Sequence, residues 1–385
     1  MKNKTKFCLN LILLVSLNIF SQEKTLIPLI DDNIIKDSND LKTNEISILF
    51  IGDFMGHMDQ IKAAYNKELK NYDYDKTFEK IKPILSDADI SIGNLEVTLG
   101  VTPYSGYPRF SSPAEYASAI KNSGVDVLVT ANNHSCDKRK LGLEKTISIL
   151  DSLNIGHTGT FINPESKKKN PCYVIERKNI KIAIVNYTYG TNGIPPSPPN
   201  VVNYLDKSVV ADDINYINEK IKPDQIIAFL HWGDQYKDFP NKEQKDWFNY
   251  FNSLGVNIVI GAHPHVLQPM QWFRSSSSER EKLVVYSLGN FVSHQRTFPR
   301  DGGAVIKVNL VKDENGVNIK SAKYHLTWVY EFIVDGKKHY DILSVKDFES
   351  NPKYFSNSRH FEKLKRFSKH ARSLMSKHNI DVEEY

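Results

Sequence analysis

Five short runs of apolar, strand-forming residues each end in a cluster of carboxylate, amide or imidazole side chains. This recurrence constrains the fold of the 385-residue chain more than any other feature. Asp53 follows ISILFIG, Asn94-Leu95-Glu96 follows DISIG, Asn132-Asn133-His134 follows DVLVTA, His231 follows QIIAFL, and His263-Pro264-His265 follows VNIVIGA. Apolar runs of this length read as strands covered on both faces. Between residues 46 and 292 they alternate with helical patterns over 113–122, 142–153, 210–221 and 242–254. Gly124 and Gly255 are placed to close two of those helices just before the next strand. The pattern predicts an α/β fold built from βαβ units.

In such a fold ligands gather outside the carboxyl ends of the strands, so side chains spread over about two hundred positions can meet in one crevice. Carboxylates, a side-chain amide and imidazoles are the donors that one or two divalent cations take there. Beyond Gly302, the runs AVIKVNLV, IKSAKYHLTWVYEFIV and YDILSV, with the turn ENG after the first, predict antiparallel strands that extend or cover the main sheet. From Arg359 to Lys377 a basic segment carries Phe361, Leu364, Phe367, Ala371 and Leu374 at helical spacing. It reads as a solvated helix packed by one apolar stripe, or else as a contact surface for an anionic polymer or lipid headgroup.

The amino terminus is of another kind. Lys2, Lys4 and Lys6 precede the apolar run LNLILLVSLNIF and a small Ser21, the pattern of an export signal over residues 1–21, with a short anchor helix as the alternative. Residues 22–45 read as a polar tether, and no later stretch approaches the length of a membrane span. With the leader removed, 47 basic residues face 45 acidic ones, which argues against nucleic acid as a partner. Cys136 and Cys172 remain and could form one disulfide, although Cys136 is equally suited to be a small buried side chain.

Seven motifs, GDFM, GNLE, ANNH with Asp137 three residues on, NYTYGTNG, HWGDQY, GAHPHVLQP and YSLGNF, stand in an order and at intervals that resemble the bacterial capsule-synthesis CapA family. Its members are poly-γ-glutamate-associated relatives of the calcineurin-like metallophosphoesterases. The resemblance covers about two thirds of the chain, from Ile46 to Val292. It implies a four-layered α/β/β/α sandwich over 46–295, to which the sequence adds a β-rich extension over 296–350 and a terminal helix over 351–385. It also implies an extracytoplasmic setting and a link to envelope polymer.

The resemblance makes Asp53 a ligand of one metal, where the residue alone could equally be a turn or capping Asp. Glu96 falls where phosphoesterases place an Asp that bridges two metals. Asn133 would bind the second metal, and His134 would donate to the leaving group with Asp137 orienting its ring; a structural Asp–His pair is the alternative. His263 and His265, two apart in an extended segment, are expected to project to one side as ligands, unless they are a structural pair, and His231 ends its strand in the same way. Asn94, Tyr189, Asn192, Trp232 and Asn290 are candidates for substrate contact, with a core position the alternative for Trp232.

Two positions depart from the family patterns. Met55 stands where the phosphoesterase pattern has a His, so His57 is a possible replacement ligand if the turn at Gly56 folds it back. Gln235 stands where the CapA-like pattern carries an acid, with Asp234 one place earlier. The expectation is an exported or periplasmic, metal-dependent hydrolase of a phosphoester or polymer amide bond. It would use one or two divalent ions (Mn, Fe, Zn or Mg), act on an anionic polymer or phosphoester, and work beside envelope assembly proteins. A non-catalytic polymer-binding protein on the same scaffold is the alternative.

Overall fold

Alternate residues of the first long strand enter two different cores, and this alternation sets the architecture. Ile46, Ile48 and Phe50 join one buried cluster, while Leu49 and Ile51 join another. The computed structural model describes residues 34–36, 44–276 and 280–385. The expected leader and most of the expected tether lie outside the described residues.

The principal strands are β1 (Ile34–Lys36), β2 (Glu45–Phe54), β3 (Ile90–Leu95), β4 (Val127–Val129), β5 (Gly156–Thr158), β6 (Tyr173–Arg177), β7 (Ile180–Thr188) and β8 (Gln225–His231). They continue with β9 (Ile258–Ala262), β10 (Leu267–Phe273), β11 (Lys282–Leu288), β12 (Asn290–Val292), β13 (Gly302–Asp313), β14 (Gly316–Val334) and β15 (Lys337–Ser344). The helices used below are α1 (Met58–Ala64), α2 (Ala114–Asn122), α3 (Arg139–Ser152), α4 (Lys207–Tyr216), α5 (Lys242–Ser253) and α6 (Ser358–His378).

One sheet has the order β15-β14-β13-β2-β3-β4-β5 and the other β1-β6-β7-β8-β9-β11-β10. Strands β2 to β5 run parallel, and so do β7, β8, β9 and β11. The C-terminal strands extend the first sheet, with β13 antiparallel to β2. The inner faces pack on each other, as where the rings of Phe50 and Phe229 lie 6.4 Å apart. Tyr116, Ala117 and Ile120 of α2 cover the outer face of the first sheet. Val210 and Ile214 of α4, with Trp247, Phe248 and Phe251 of α5, cover that of the second. The result is four layers, helix, sheet, sheet, helix. No disulfide joins Cys136 and Cys172, and no helix among the described residues is long and apolar enough to cross a membrane.

Helices α4 and α5 start at side-chain caps. Asn241 opens α5 by accepting a hydrogen bond from the Gln244 amide at 2.9 Å, while Gln244 Oε1 accepts from the Asn241 amide at 3.0 Å. Asp206 caps α4 through Ser208 and Val209. Leu364, Phe367, Ala371, Leu374 and Met375 of α6 are buried in the inter-sheet core, so the apolar stripe of the terminal helix is a packing face. Phe367 sits where a side chain at residue 302 would be, since a Cβ on Gly302 would come within 2.7 Å of its ring. Phe367→Ala is therefore expected to cost about 3–5 kcal/mol in denaturant unfolding. A loss under about 1 kcal/mol would mean that α6 is not part of the core.

Candidate metal centre

Strand direction assembles the site. The parallel strands of both sheets deliver their carboxyl ends to one crevice, and Asp53, Glu96, His231, His263 and His265, all buried, meet there. Glycine makes the approach possible at one point. The Asp53 amide donates to the Gly289 carbonyl at 3.0 Å, and a Cβ on Gly52 would lie 2.2 Å from that oxygen. β2 and the turn into β12 can touch only because Gly52 has no side chain.

Glu96 occupies the middle. It is fully buried, neither carboxylate oxygen has a hydrogen-bond partner, and Oε1 lies 3.6 Å from His231 Nε2 and 3.7 Å from His265 Nε2. Two donor groups share it, Glu96 with His231 and His263, and Asp53 with Glu96 and His265. In each, one donor atom per residue lies within 4.8 Å of the others. Asp53 Oδ1 accepts a hydrogen bond from Asn94 at 2.8 Å, whereas Oδ2 is buried without one and lies 3.2 Å from His265 Nδ1. His231 Nε2 lies 2.8 Å from Asn133 Oδ1 and 3.1 Å from His263 Nδ1, which adds an amide oxygen to the first group.

His263 and His265 converge by a route other than the expected one. The segment is not extended: both residues have positive φ, 99° and 57°, on either side of Pro264. Conformations of this kind cost non-glycine residues about 1–3 kcal/mol each and persist where the surroundings impose them. Here the Pro264 carbonyl accepts the Tyr236 amide at 2.8 Å, and Asn290 Oδ1 lies 3.1 Å from His265 Nδ1.

Burial shifts Glu96, His231 and His263 in the direction of lost charge. It raises the Glu96 carboxyl well above its ordinary range, an effect that the neighbouring Asp53 charge increases. Burial also lowers His231 and His263 well below the ordinary imidazole range, reinforced by the other imidazoles of the cluster. Buried carboxylate oxygens without donors are costly unless paired with a cation. Three such oxygens, beside imidazoles held neutral, form a donor set that fits divalent cations, with hard oxygen and borderline nitrogen together.

His134 stands beside this cluster. Its Nδ1 lies 2.7 Å from Asp137 Oδ2, which also accepts the Phe110 amide at 2.6 Å, and the Phe110 ring meets the imidazole edge-on with centroids 4.6 Å apart. The arrangement leaves Nε2 for another partner. Tyr189, 43% exposed, stacks on His231 at 6.3 Å and lies 4.6 Å from His263, while Asn192 accepts a hydrogen bond from Asn133 at 3.3 Å. Both are exposed and touch members of the cluster.

Other expected contacts are placed elsewhere. Trp232 is a core residue whose indole N–H donates to the Tyr286 carbonyl at 2.9 Å, because its strand-end position turns it towards α5. Asn94 and Asn290 are buried and hydrogen-bonded inside the cluster, Asn94 to Asp53 and His231, Asn290 to His265 and the Arg300 carbonyl. His57 lies outside both donor groups. Its Nδ1 is 3.3 Å from Gln60 Oε1 and accepts the His294 amide at 3.3 Å, and burial lowers its pKa to about 4. Asp234 accepts from Asn241 at 2.9 Å and stays out of the site.

Several residues that organise the centre are not marked for that role by the sequence. Asn132 ties the carbonyl of Leu95 to the amide of His134, and Asn186 bolts the loop after β4 to β8 through Ala131 and Phe229. Phe110 and Arg300 come from loops that no apolar run marks. For Asn132, adjacency to Asn133-His134 was the only available signal.

Residues 47–295 match the family described as bacterial capsule synthesis protein PGA_cap. The chain is 25% identical over 288 residues to the PGA biosynthesis protein CapA of Bacillus subtilis (strain 168), covering 70% of this chain and 69% of that protein. It is 25% identical over 292 residues to the capsule biosynthesis protein CapA of Bacillus anthracis, covering 72% and 66%. The crystal structure of the calcineurin-like phosphoesterase YfkN from Bacillus subtilis aligns with 86% of this chain and 98% of that one, at 13% identity and a TM-score of 0.38.

Proposed function

Because the chain belongs to the PGA_cap family of bacterial capsule synthesis proteins, we propose that it is an exported, metal-dependent hydrolase acting on a phosphoester or amide bond of a capsule-type polymer, poly-γ-glutamate in kind. The observation that carries this reading is Glu96, buried, without hydrogen-bond partners, and common to two donor groups. Asp53 and His265 would hold one cation and Asn133, His231 and His263 a second, with Glu96 between them. Cations there supply Lewis acidity towards a substrate oxygen and a water acidified towards neutrality.

The protein's own residues do the rest. Asp137 fixes the His134 ring through Nδ1, so that Nε2 is the nitrogen that can deliver a proton to a leaving group. Asn94 and Asn290 hold Asp53, His231 and His265 in place. Tyr189 covers His231 and His263 from the solvent side. Placement outside the cytoplasm rests on the expected leader and on the family's link to capsule.

Elemental analysis of the purified mature protein is expected to find one or two equivalents of Mn, Fe, Zn or Mg, lost with a chelator together with hydrolysis of a chromogenic phosphodiester or of a γ-glutamyl oligomer. A protein that takes up no divalent metal under any loading condition would end this reading. Metal retained without turnover of either substrate would make it a polymer-holding protein instead.

A further inference from the structure

Beside the metal centre, two side chains that belong to neither donor group, Tyr236 and Arg300, stack next to the ligand candidate His265. The ring of Tyr236 lies 6.0 Å from that of His265 at an interplanar angle of 30°, and the Arg300 guanidinium lies 3.5 Å from the Tyr236 ring centroid on top of it. The column is anchored at both levels by main chain. The Tyr236 amide donates to the Pro264 carbonyl at 2.8 Å, and Asn290, the residue that steadies His265, donates to the Arg300 carbonyl at 2.8 Å. Tyr236 is 40% exposed and has a left-handed backbone, with φ 67°, so the ring is presented at the surface of the crevice.

Arg300 is half-buried, and among the described residues its guanidinium has no carboxylate or carbonyl partner and rests over the Tyr236 ring. A guanidinium stacked flat on an aromatic ring is immobilised, while its N–H groups still point outward in the plane. That geometry leaves a rigid fork of donors suited to accept two oxygens of one carboxylate or phosphate. The other arginine of this segment provides a contrast. Arg296, also half-buried, donates one guanidinium nitrogen to the Val329 carbonyl and has the Asp301 charge nearby, so part of its donor capacity is used within the fold.

We propose that Arg300, braced by Tyr236, is the anion-recognising group of the site and restricts its substrates to those carrying a carboxylate or phosphate next to the bond that is cleaved. This rests on the metal-centre reading, because cations held by Asp53, Glu96 and the imidazoles would draw the oxygens of an anionic substrate to the crevice beside Arg300. The two sources of the anion, a polycarboxylate chain or a phosphoester, share the same two-oxygen chemistry, and the choice of probe separates them. Gln235, uncharged beside Tyr236, adds no negative charge to the approach.

The test compares wild type with Arg300→Gln and Arg300→Lys, all metal-loaded and with metal content measured first. Each is titrated calorimetrically with inorganic phosphate and, separately, with a γ-linked glutamate oligomer, and each is melted thermally. The expected result is at least tenfold weaker binding of one or both anions by Arg300→Gln, with metal content and melting temperature unchanged. Arg300→Lys should recover part of the loss, since it keeps the charge and loses the fork. Weakening of the phosphate arm alone identifies a phosphoester substrate, and of the glutamate arm alone a carboxylate polymer. Metal-loaded wild type that binds neither anion, or Arg300→Gln that binds both as wild type does, overturns the proposal. Absence of metal from wild type fails the underlying reading instead and is seen before any anion is added.

Discussion

Glu96→Gln is expected to empty the purified protein of metal and, in the metal-free state, to make it more stable than wild type. Both effects have one source. Glu96 is the donor common to both groups, so its loss weakens each, and a fall in metal affinity of at least a hundredfold is expected by titration. Without metal the same carboxylate is buried with neither oxygen hydrogen-bonded, next to Asp53. Replacing it with a neutral amide of equal shape removes a penalty of about 1–3 kcal/mol.

The pH dependence follows with opposite signs for the two kinds of ligand. Glu96 is raised above its ordinary 4.5, so the folded chain holds a proton there that the unfolded chain releases, and metal-free stability falls as pH climbs from about 4.5 towards the folded value. His231 and His263 are lowered from 6.5, so unfolding takes up protons below that point and stability rises with pH until about 6.5. Together these give the metal-free protein a stability optimum bounded on the acid side by the two imidazoles and on the alkaline side by Glu96, and Glu96→Gln should remove the alkaline decline. Melting curves in chelator from pH 5 to 9 check this. A wild-type curve that keeps rising through that range would show that Glu96 is ionised in the folded protein.

His134→Ala is expected to lower turnover by a factor of about 10²–10⁴ while leaving metal content intact, because the residue lies outside both donor groups. Asp137→Asn should lose less and should shift the pH profile, since it acts only through the His134 ring. Loss of metal from His134→Ala would place this imidazole among the ligands and overturn its assignment as proton donor.

Much of this centre is legible in the sequence because it is built from strand ends. An apolar run followed by a polar residue marks a strand and its exit together, and Asp53, Glu96, Asn133, His231, His263 and His265 can all be read in that way. The layering is another matter. A strand covered by a second sheet and one covered by helices give the same apolar run, so the faces of β2 are distinguished only by what lands on them. Loop geometry is also hidden. The His263–Pro264–His265 turn reads as extended by its spacing yet has two left-handed residues, because contacts from Tyr236 and Asn290 decide the backbone. The side chains of Trp232, Asn94 and Asn290 are hidden for the same reason: proximity to a motif does not tell that Trp232 turns into the core, or that Asn94 and Asn290 bond to Asp53, His231 and His265. Arg300 carries no sequence signal at all, since its partner is the ring of Tyr236, far away in the chain.

The contact between Gly52 and Gly289 sets an order of events. Asp53 belongs to the first strand of the sandwich, yet its amide is held by Gly289 and its backbone pairs with Asn290, which in turn lies against His265. A nascent chain that has not reached this point has neither the clamp on its first ligand nor the brace on its last. The centre therefore comes into being only after synthesis has passed residue 290, and the ions it can acquire are those surrounding the chain when these strands close. Where the chain folds, as much as its donor atoms, would then decide which metal it meets.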